Sequence, residues 1–172
     1  MSEDLKKFIH DVPDFPKPGV LFKDITPLLA DAQIFKTAID QMAKPFENAN
    51  IGVVAGIESR GFLLATPIAY RLKAGVILIR KKGKLPRKTV SVQYDLEYGQ
   101  DSLEAHADAF PLGTNVLIVD DVLATGGTAQ AACELLKKIG GRVAGLSFLL
   151  ELKSLNGRKK ILGQNIHALL GY

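Results

Sequence analysis

Short runs of branched apolar residues, each closed by polar or glycine-containing punctuation, constrain this chain more than any other feature. IGVVAGI (51–57), GVILIRK (75–81), NVLIVDD (115–121) and RVAGLSFLLEL (142–152) have strand length and are apolar almost throughout, not on alternate residues. Strands with that pattern are buried on both faces. IHALLGY, near the end, offers one more. Helical spacing fills the intervals, in GFLLATPIAYRLK after the first run and TAQAACELLKKIG after the third. The second helix should stop at Gly140-Gly141, and Pro67 should bend the first or sit near its start. Such alternation implies an α/β architecture, a mostly parallel twisted sheet with helices on both faces. The 172 residues suffice for a single domain, 1–172, with its own core. Ligands of such sheets bind beyond the carboxyl ends of the strands. ESRG, RKKGK and DDVLATGGT leave three of the runs there.

Ahead of the sheet, residues from Ser2 to His10 show helical spacing through Leu5, Phe8 and Ile9. The following DVPDFPKPGVLFKDITPLL is too rich in proline for a regular helix or a central strand, so it should wrap the surface or hood a site. Asp31 suits the N-cap of a helix through Ile34, Ala38, Ile39 and Met42. Residues 82–108 are polar and read as an irregular segment, a mobile flap or hairpin. No apolar run reaches membrane-spanning length, and MSEDLKKFIH lacks a signal-peptide pattern. The single cysteine, Cys133, excludes an internal disulfide framework. A cytoplasmic location and no membrane partner are therefore expected. Cys133 and Leu135-Leu136 read as helix core. His10, His106 and His167 are scattered, with no zinc-type spacing.

The net charge of +4 admits nucleic acid or a polyanionic small substrate. Six of the nine residues in RKKGKLPRK (80–88) are basic, and five acids follow between Asp95 and Asp108. The basic run has no interleaved aromatics, and the chain shows no helix-turn-helix or zinc-finger pattern. Nucleic acid is not the expected partner, and taken alone the run reads as a solvated loop.

VLIVDDVLATGGTA (116–129) carries the most chemistry. Two glycines allow close backbone approach, the helix that follows adds its positive N-terminal end, and Thr125 and Thr128 can donate hydroxyls. Together these suit a phosphate monoester. The lysine of a nucleoside-triphosphate loop and the spacing of a dinucleotide fingerprint are both missing. Asp120 and Asp121 leave the core side by side, where a ribose diol or magnesium would relieve their repulsion. Glu58-Ser59-Arg60-Gly61 turns from strand to helix with a guanidinium that can fork onto phosphate oxygens. Arg80, Lys81 and Lys84 at the next strand end point to a second, separate phosphate site.

VLIVDDVLATGGTA resembles the phosphoribosyl pyrophosphate-binding motif of type I phosphoribosyltransferases. DFPKPGVLFKDITPLL, GIESRGF, VILIRKKGKLP, YDLEYGQDSLEAH and LLELKSLNGRKKI are similar to the adenine-specific branch, in order along essentially the whole chain. The resemblance implies the type I fold with a Pro-rich hood and a flap. It implies transfer of a phosphoribosyl group to adenine, giving AMP and diphosphate in purine salvage, with magnesium and a homodimer. By resemblance, Ala124, Thr125, Gly126, Gly127 and Thr128 hold the 5-phosphate, and Asp120 and Asp121 the ribose hydroxyls, with magnesium held mainly by substrate near them. Glu58, Ser59 and Arg60 match the pyrophosphate loop. Arg80, Lys81 and Lys84 match basic residues that reach pyrophosphate, some across the dimer interface. Phe22 and Val122 match residues that sandwich the base, and Leu21 and Lys23 positions whose backbone reads its edge. Relatives more often carry Arg at position 23; Lys keeps the charge and loses the fork.

Relatives acting on 6-oxopurines carry an Asp where this chain has Ala124, so proton chemistry must come from elsewhere. The acids Asp95, Glu97, Asp101 and Glu104 of 82–108 are open to that role from the residues alone. The resemblance selects Glu97 as catalytic, with Tyr98 over the ribose. The competing expectations are a phosphoribosyltransferase for a 6-oxopurine such as xanthine, and a non-enzymatic regulator that kept the fold.

Overall fold

The computed structural model describes residues 2–96 and 99–172. In chain order its main elements are α1 (Ser2–Lys6), β1 (His10–Pro13), β2 (Leu21–Asp24), α2 (Thr26–Ala30), α3 (Ala32–Ala43), β3 (Val53–Ile57), α4 (Arg60–Leu72), β4 (Gly75–Lys81), β5 (Thr89–Leu96), β6 (Gly99–His106), β7 (Asn115–Leu123), α5 (Gly127–Lys138), β8 (Arg142–Glu151) and β9 (Ile166–Gly171). Seven strands form one sheet in the order β5-β6-β4-β3-β7-β8-β9. From β4 to β9 the pairings are parallel. The β5–β6 hairpin adds antiparallel at one edge, Arg80 opposite Glu104.

Continuous apolar strands do bury both faces. Along β7, Leu117 and Val119 enter the core shared with α3 and α4, which also holds Met42, Leu64 and Ile68. Val116 and Ile118 enter the opposite core with Leu135, Leu136 and Phe148. Successive side chains of one strand thus feed two cores. Cys133 lies in the second, as its helical spacing implied.

The local signals account for the helix ends. The Asp31 carboxylate accepts from the Gln33 and Ile34 N–H groups, both at 3.0 Å, and starts α3. At the end of α5 the Gly141 N–H donates to the Leu136 carbonyl at 2.9 Å. Two expectations are sharpened. Of the alternatives for 82–108 the hairpin is the one present, from Thr89 opposite His106 to Leu96 opposite Gly99, and the stretch before it, 82–88, is irregular. Val92, Leu103 and Ala105 alternate with polar residues and pack into the second core, the pattern of a half-buried antiparallel edge. The proline-rich segment pairs β1 with β2 as a ribbon, Asp11 opposite Lys23, yet it also contains α2. Pro27 lies in the first turn of α2, where its missing N–H has no helical partner to lose.

Among the described residues no helix is long and apolar enough to cross a membrane. Pro67 lies in the interior of α4, not at its start. It withholds the N–H that would bond the Leu63 carbonyl. Pro67→Ala should therefore stabilise the fold by about 1–3 kcal/mol. The check is a urea melt whose midpoint rises at unchanged slope; an unchanged or lower midpoint contradicts it.

Candidate active site

Sheet order decides which strand ends meet. Because β3 lies between β4 and β7, the residues leaving these three strands emerge side by side. β3 and β7 stay paired only to Gly56 opposite Val119, whereas β7 runs on beside β8 to Leu123 opposite Glu151. Their parting opens a crevice. A cavity of about 310 Å³ lies there, lined by Glu58, Ser59, Arg60, Lys81, Asp120, Asp121 and Thr128, all expected, and by Tyr94 and Asp101 of the hairpin. α4 can begin against β7 because residue 61 is glycine. A Cβ there would stand 2.9 Å from Asp120 Oδ1 and 3.0 Å from the Val119 carbonyl.

Next to the crevice, Ala124, Thr125, Gly126 and Thr128 line a pocket of about 70 Å³ that shares Asp120 as a wall. Gly126 is the N-cap of α5 at φ +82, and no side chain caps that helix. The N–H groups of the first turn, with the positive end of the helix dipole, are left to a ligand. A Cβ on Gly126 would collide with the Gly157 carbonyl, and one on Gly157 with the Ala124 carbonyl. The LNGRKK segment thus buttresses the loop from behind, a role the sequence reading did not assign. Arg158 fixes that segment by forking onto Glu151, with Nε 2.8 Å from Oε1 and Nη2 2.8 Å from Oε2. Gly127 faces a neighbouring cleft of about 200 Å³ with Tyr94. Tyr94 and Thr128 both line the larger cavity, so the hairpin faces the loop there.

The two aspartates share one local network. The Asp121 N–H donates to Asp120 Oδ1 at 2.9 Å, and Arg60 Nε lies 2.6 Å from Asp121 Oδ2. Burial, then the Asp121 charge, pushes the Asp120 carboxyl well above its ordinary range. Burial also raises Asp121, against the pull of Arg60.

The expected pyrophosphate cations are already engaged by acids. Glu58 accepts from Arg80 Nε and from Lys84 Nζ, both at 2.8 Å. Burial opposes ionisation of Glu58, but the bonds from Lys84 and Arg80 outweigh it and hold the carboxyl below its usual range. Lys81 Nζ stands 2.9 Å from Asp101 Oδ2. Their mutual hydrogen bond raises the lysine and lowers the acid. Reading Glu58 as one more member of the pyrophosphate loop missed its part as the counter-ion of Arg80 and Lys84. Asp101 was among the acids left open by the sequence, and its place in the crevice was legible in principle, since it shares one face of β6 with the buried Leu103 and Ala105; Tyr94 was not singled out.

The hood reaches the same crevice through Arg60. Its guanidinium lies 4.5 Å from the centre of the Phe22 ring, and its Nη1 donates to the Lys23 carbonyl at 3.4 Å. Backbone groups of alternate residues in a strand share an edge. Since the Lys23 carbonyl faces Arg60, the backbone of Leu21, two residues back on the same strand edge, faces the crevice as well. The Lys23 side chain turns away and is buried. Val122 lines the smaller pocket. Glu97 and Tyr98 lie outside the described residues.

Residues 25–162 match the model of the phosphoribosyl transferase domain. This chain belongs to that family. It is 53% identical over 165 residues to the adenine phosphoribosyltransferase of Thermobifida fusca, covering 96% of this chain and 94% of the relative. The crystal structure of adenine phosphoribosyltransferase from Thermoanaerobacter pseudethanolicus superposes with a TM-score of 0.97 at 49% identity and covers 100% of both chains. The Saccharomyces cerevisiae enzyme, solved with adenine and an imino-altritol bisphosphate, superposes at 0.92 with 38% identity over 98% of each chain. The architecture is the type I phosphoribosyltransferase fold.

The raised Asp120 carboxyl has a consequence with a definite sign. The folded state keeps this proton at pH values where the unfolded chain, near 3.8, has lost it. Stability therefore falls as the pH rises from about 4 through the folded-state value. Asp120→Asn should melt at a higher temperature than the parent at pH 7, and the gain should vanish on acidification below about pH 4. The same variant should bind phosphoribosyl pyrophosphate more weakly by titration calorimetry. A lower melting temperature at pH 7 contradicts the first expectation, and unchanged affinity the second.

Proposed function

We propose that this chain transfers the 5-phosphoribosyl group of phosphoribosyl pyrophosphate to adenine, giving AMP and diphosphate in purine salvage. The observation that carries this reading is the uncapped start of α5, which shares the wall Asp120 with the larger, cation-rimmed cavity. A phosphate on the α5 N–H groups puts the attached ribose over Asp120 and Asp121, and its diphosphate in the cavity with Arg60 and Lys81. The ribose hydroxyls donate to the two carboxylates. Similarity over nearly the whole chain to adenine phosphoribosyltransferases supports adenine as the acceptor.

In the reaction the bond from ribose C1 to the diphosphate oxygen breaks, and its electron pair leaves with the diphosphate. A ring nitrogen of adenine supplies the pair for the new bond to C1 and gives up its proton. Arg60 and Lys81, with Arg80 and Lys84 once they exchange Glu58 for phosphate, stabilise the departing charge electrostatically. Positive charge developing on the sugar favours the ionised form of Asp120 and Asp121, and the ionised carboxylates in turn stabilise that charge. Among the described residues no three acidic, histidine or cysteine side chains gather into a metal site. The two aspartates do fit magnesium held chiefly by substrate phosphates, the usual arrangement for that ion. Bound there, magnesium would neutralise part of the leaving-group charge. Ala124 offers no group for the adenine proton, and by family resemblance Glu97 takes that task, with Tyr98 over the ribose.

The assembly we propose is a homodimer. Leu63 and Tyr70 on α4 are 52% and 88% exposed, and Val76 and Leu78 on β4 are each 41% exposed. Val76, Leu78 and Arg80 share one face of β4, so this apolar surface runs directly to a cation of the site. By family resemblance, a second copy covering it brings a basic residue of this strand end to its partner's pyrophosphate. The buried thiol of Cys133, pushed up to about 11 by burial, stays neutral, and a lone cysteine suits the reducing cytoplasm.

The protein with magnesium and phosphoribosyl pyrophosphate should form AMP from adenine, and hypoxanthine, guanine or xanthine should not compete at equal concentration. Glu97→Ala should lower kcat by about 10²–10⁴-fold and leave phosphoribosyl pyrophosphate affinity unchanged. Near-normal turnover in that variant refutes the role of Glu97. Leu78→Glu should sediment as a monomer; a parent that itself sediments as a monomer at micromolar concentration rules the dimer out.

A further inference from the structure

β1 and β2 form a ribbon of four-residue strands, and such a ribbon is marginal unless something holds it. Its position decides where the backbone edge of Leu21 and Lys23 stands in the crevice. Yet little core backs it. Behind β2 lies a cavity of about 660 Å³, lined by Val20, Leu21, Lys23, Leu152, Leu155 and Tyr172 among others. Leu21 is 49% exposed beside it. The strand is therefore placed by a few discrete contacts, and the Lys23 side chain makes two of them.

Lys23 is only 8% exposed, rare for a lysine. Its ammonium stands 2.5 Å from Asp11 Oδ1, on the paired strand, and 4.1 Å from the centre of the Tyr172 ring. Lys6 approaches the same ring at 5.4 Å. Tyr172 is a firm seat. Its N–H donates to the Glu151 carbonyl at 2.9 Å, and its carbonyl accepts from the Lys153 N–H at 2.8 Å, which ties it to the end of β8. At the other end of the residue, the Lys23 carbonyl accepts from Arg60, which is paired with Asp121. One residue thus joins the hood to the main sheet through its side chain and to the crevice through its backbone.

We infer that the Lys23 side chain is a positioning residue for the base: clamped between Asp11 and the Tyr172 ring, it sets the height of the Leu21–Lys23 backbone edge over the crevice. The inference rests on adenine being the acceptor read by that edge. What the position needs is a cation seated on an aromatic ring. The clamp touches neither the α5 loop nor the Lys81 and Lys84 sites and reaches the phosphate groups only through the long 3.4 Å bond from Arg60 to the Lys23 carbonyl, so its loss falls on the base well before phosphoribosyl pyrophosphate.

The test is steady-state kinetics with both substrates varied, on the full chain with magnesium. Lys23→Met keeps the length and removes the charge. It should raise KM for adenine about tenfold, the scale of one desolvated cation–aromatic contact, with kcat and KM for phosphoribosyl pyrophosphate within about twofold. Tyr172→Leu should do the same more weakly, and Lys23→Arg and Tyr172→Phe should restore adenine KM. If Lys23→Met fails to fold, Tyr172→Leu against Tyr172→Phe decides alone. Adenine KM unchanged in folded Lys23→Met and Tyr172→Leu overturns the inference, as does a parallel rise in both KM values. A parent that makes no AMP from adenine refutes the functional reading instead, and the inference falls with it.

Discussion

The Arg60 guanidinium holds three parts of the molecule in register. It starts α4, pairs with Asp121 at the end of β7, and carries both the Phe22 ring and the Lys23 carbonyl of the hood. Only a planar, permanently charged fork with a stackable face can serve a carboxylate, a carbonyl and an aromatic ring at once. That geometry depends in turn on Gly61, since any larger residue there would push α4 off Asp120 and Val119. The hood, the sugar acids and the pyrophosphate loop are therefore coupled through one residue. A shift of α4 is felt by all of them.

The crevice handles its own charge before a substrate arrives. Arg80, Lys81 and Lys84 crowd one strand end, and the facing Glu58 and Asp101 relieve their repulsion. Arg80, Lys81 and Lys84 are 32%, 56% and 49% exposed, so solvent screens the pairing and each link contributes about 1 kcal/mol or less. A ligand bearing several phosphate charges can outcompete one carboxylate on that scale. The acids thus preserve the cation array without closing it to an anionic substrate.

How much was legible in the sequence follows from how local each signal is. The buried strands, the Asp31 cap and the end of α5 are written in adjacent residues, and all were readable. VLIVDDVLATGGTA disclosed its cradle because strand, acids, glycines and helix are consecutive. The hairpin of 89–106 was harder, because alternating polar residues on an edge strand look like a solvated loop until β4 is known to be its neighbour. The pairing of Glu58 with Arg80 and Lys84 spans more than twenty residues and depends on β3 lying beside β4. The buttress of Gly157 against Gly126, and the seat of Lys23 on Tyr172, join segments that no local pattern connects.

The structure also shows why the cradle is built from features that weaken the fold. α3 begins on the Asp31 carboxylate; α5, of equal length, begins on a glycine with no side chain at its first N–H groups. Glycine in place of such a cap costs roughly a few tenths of a kcal/mol. Asp120 and Asp121 add the cost of burying two neighbouring acids. A capping carboxylate on α5 would remove the first cost and occupy the position a phosphate needs. A neutral pair in place of the acids would remove the second and lose the acceptors for two hydroxyls. A ribose phosphate relieves both together: its phosphate does for α5 what Asp31 does for α3, and its diol supplies donors to the acids. Binding and folding are then linked through the same few groups, so a ligand that satisfies them stabilises the native state by an amount that grows with the logarithm of its concentration over its Kd.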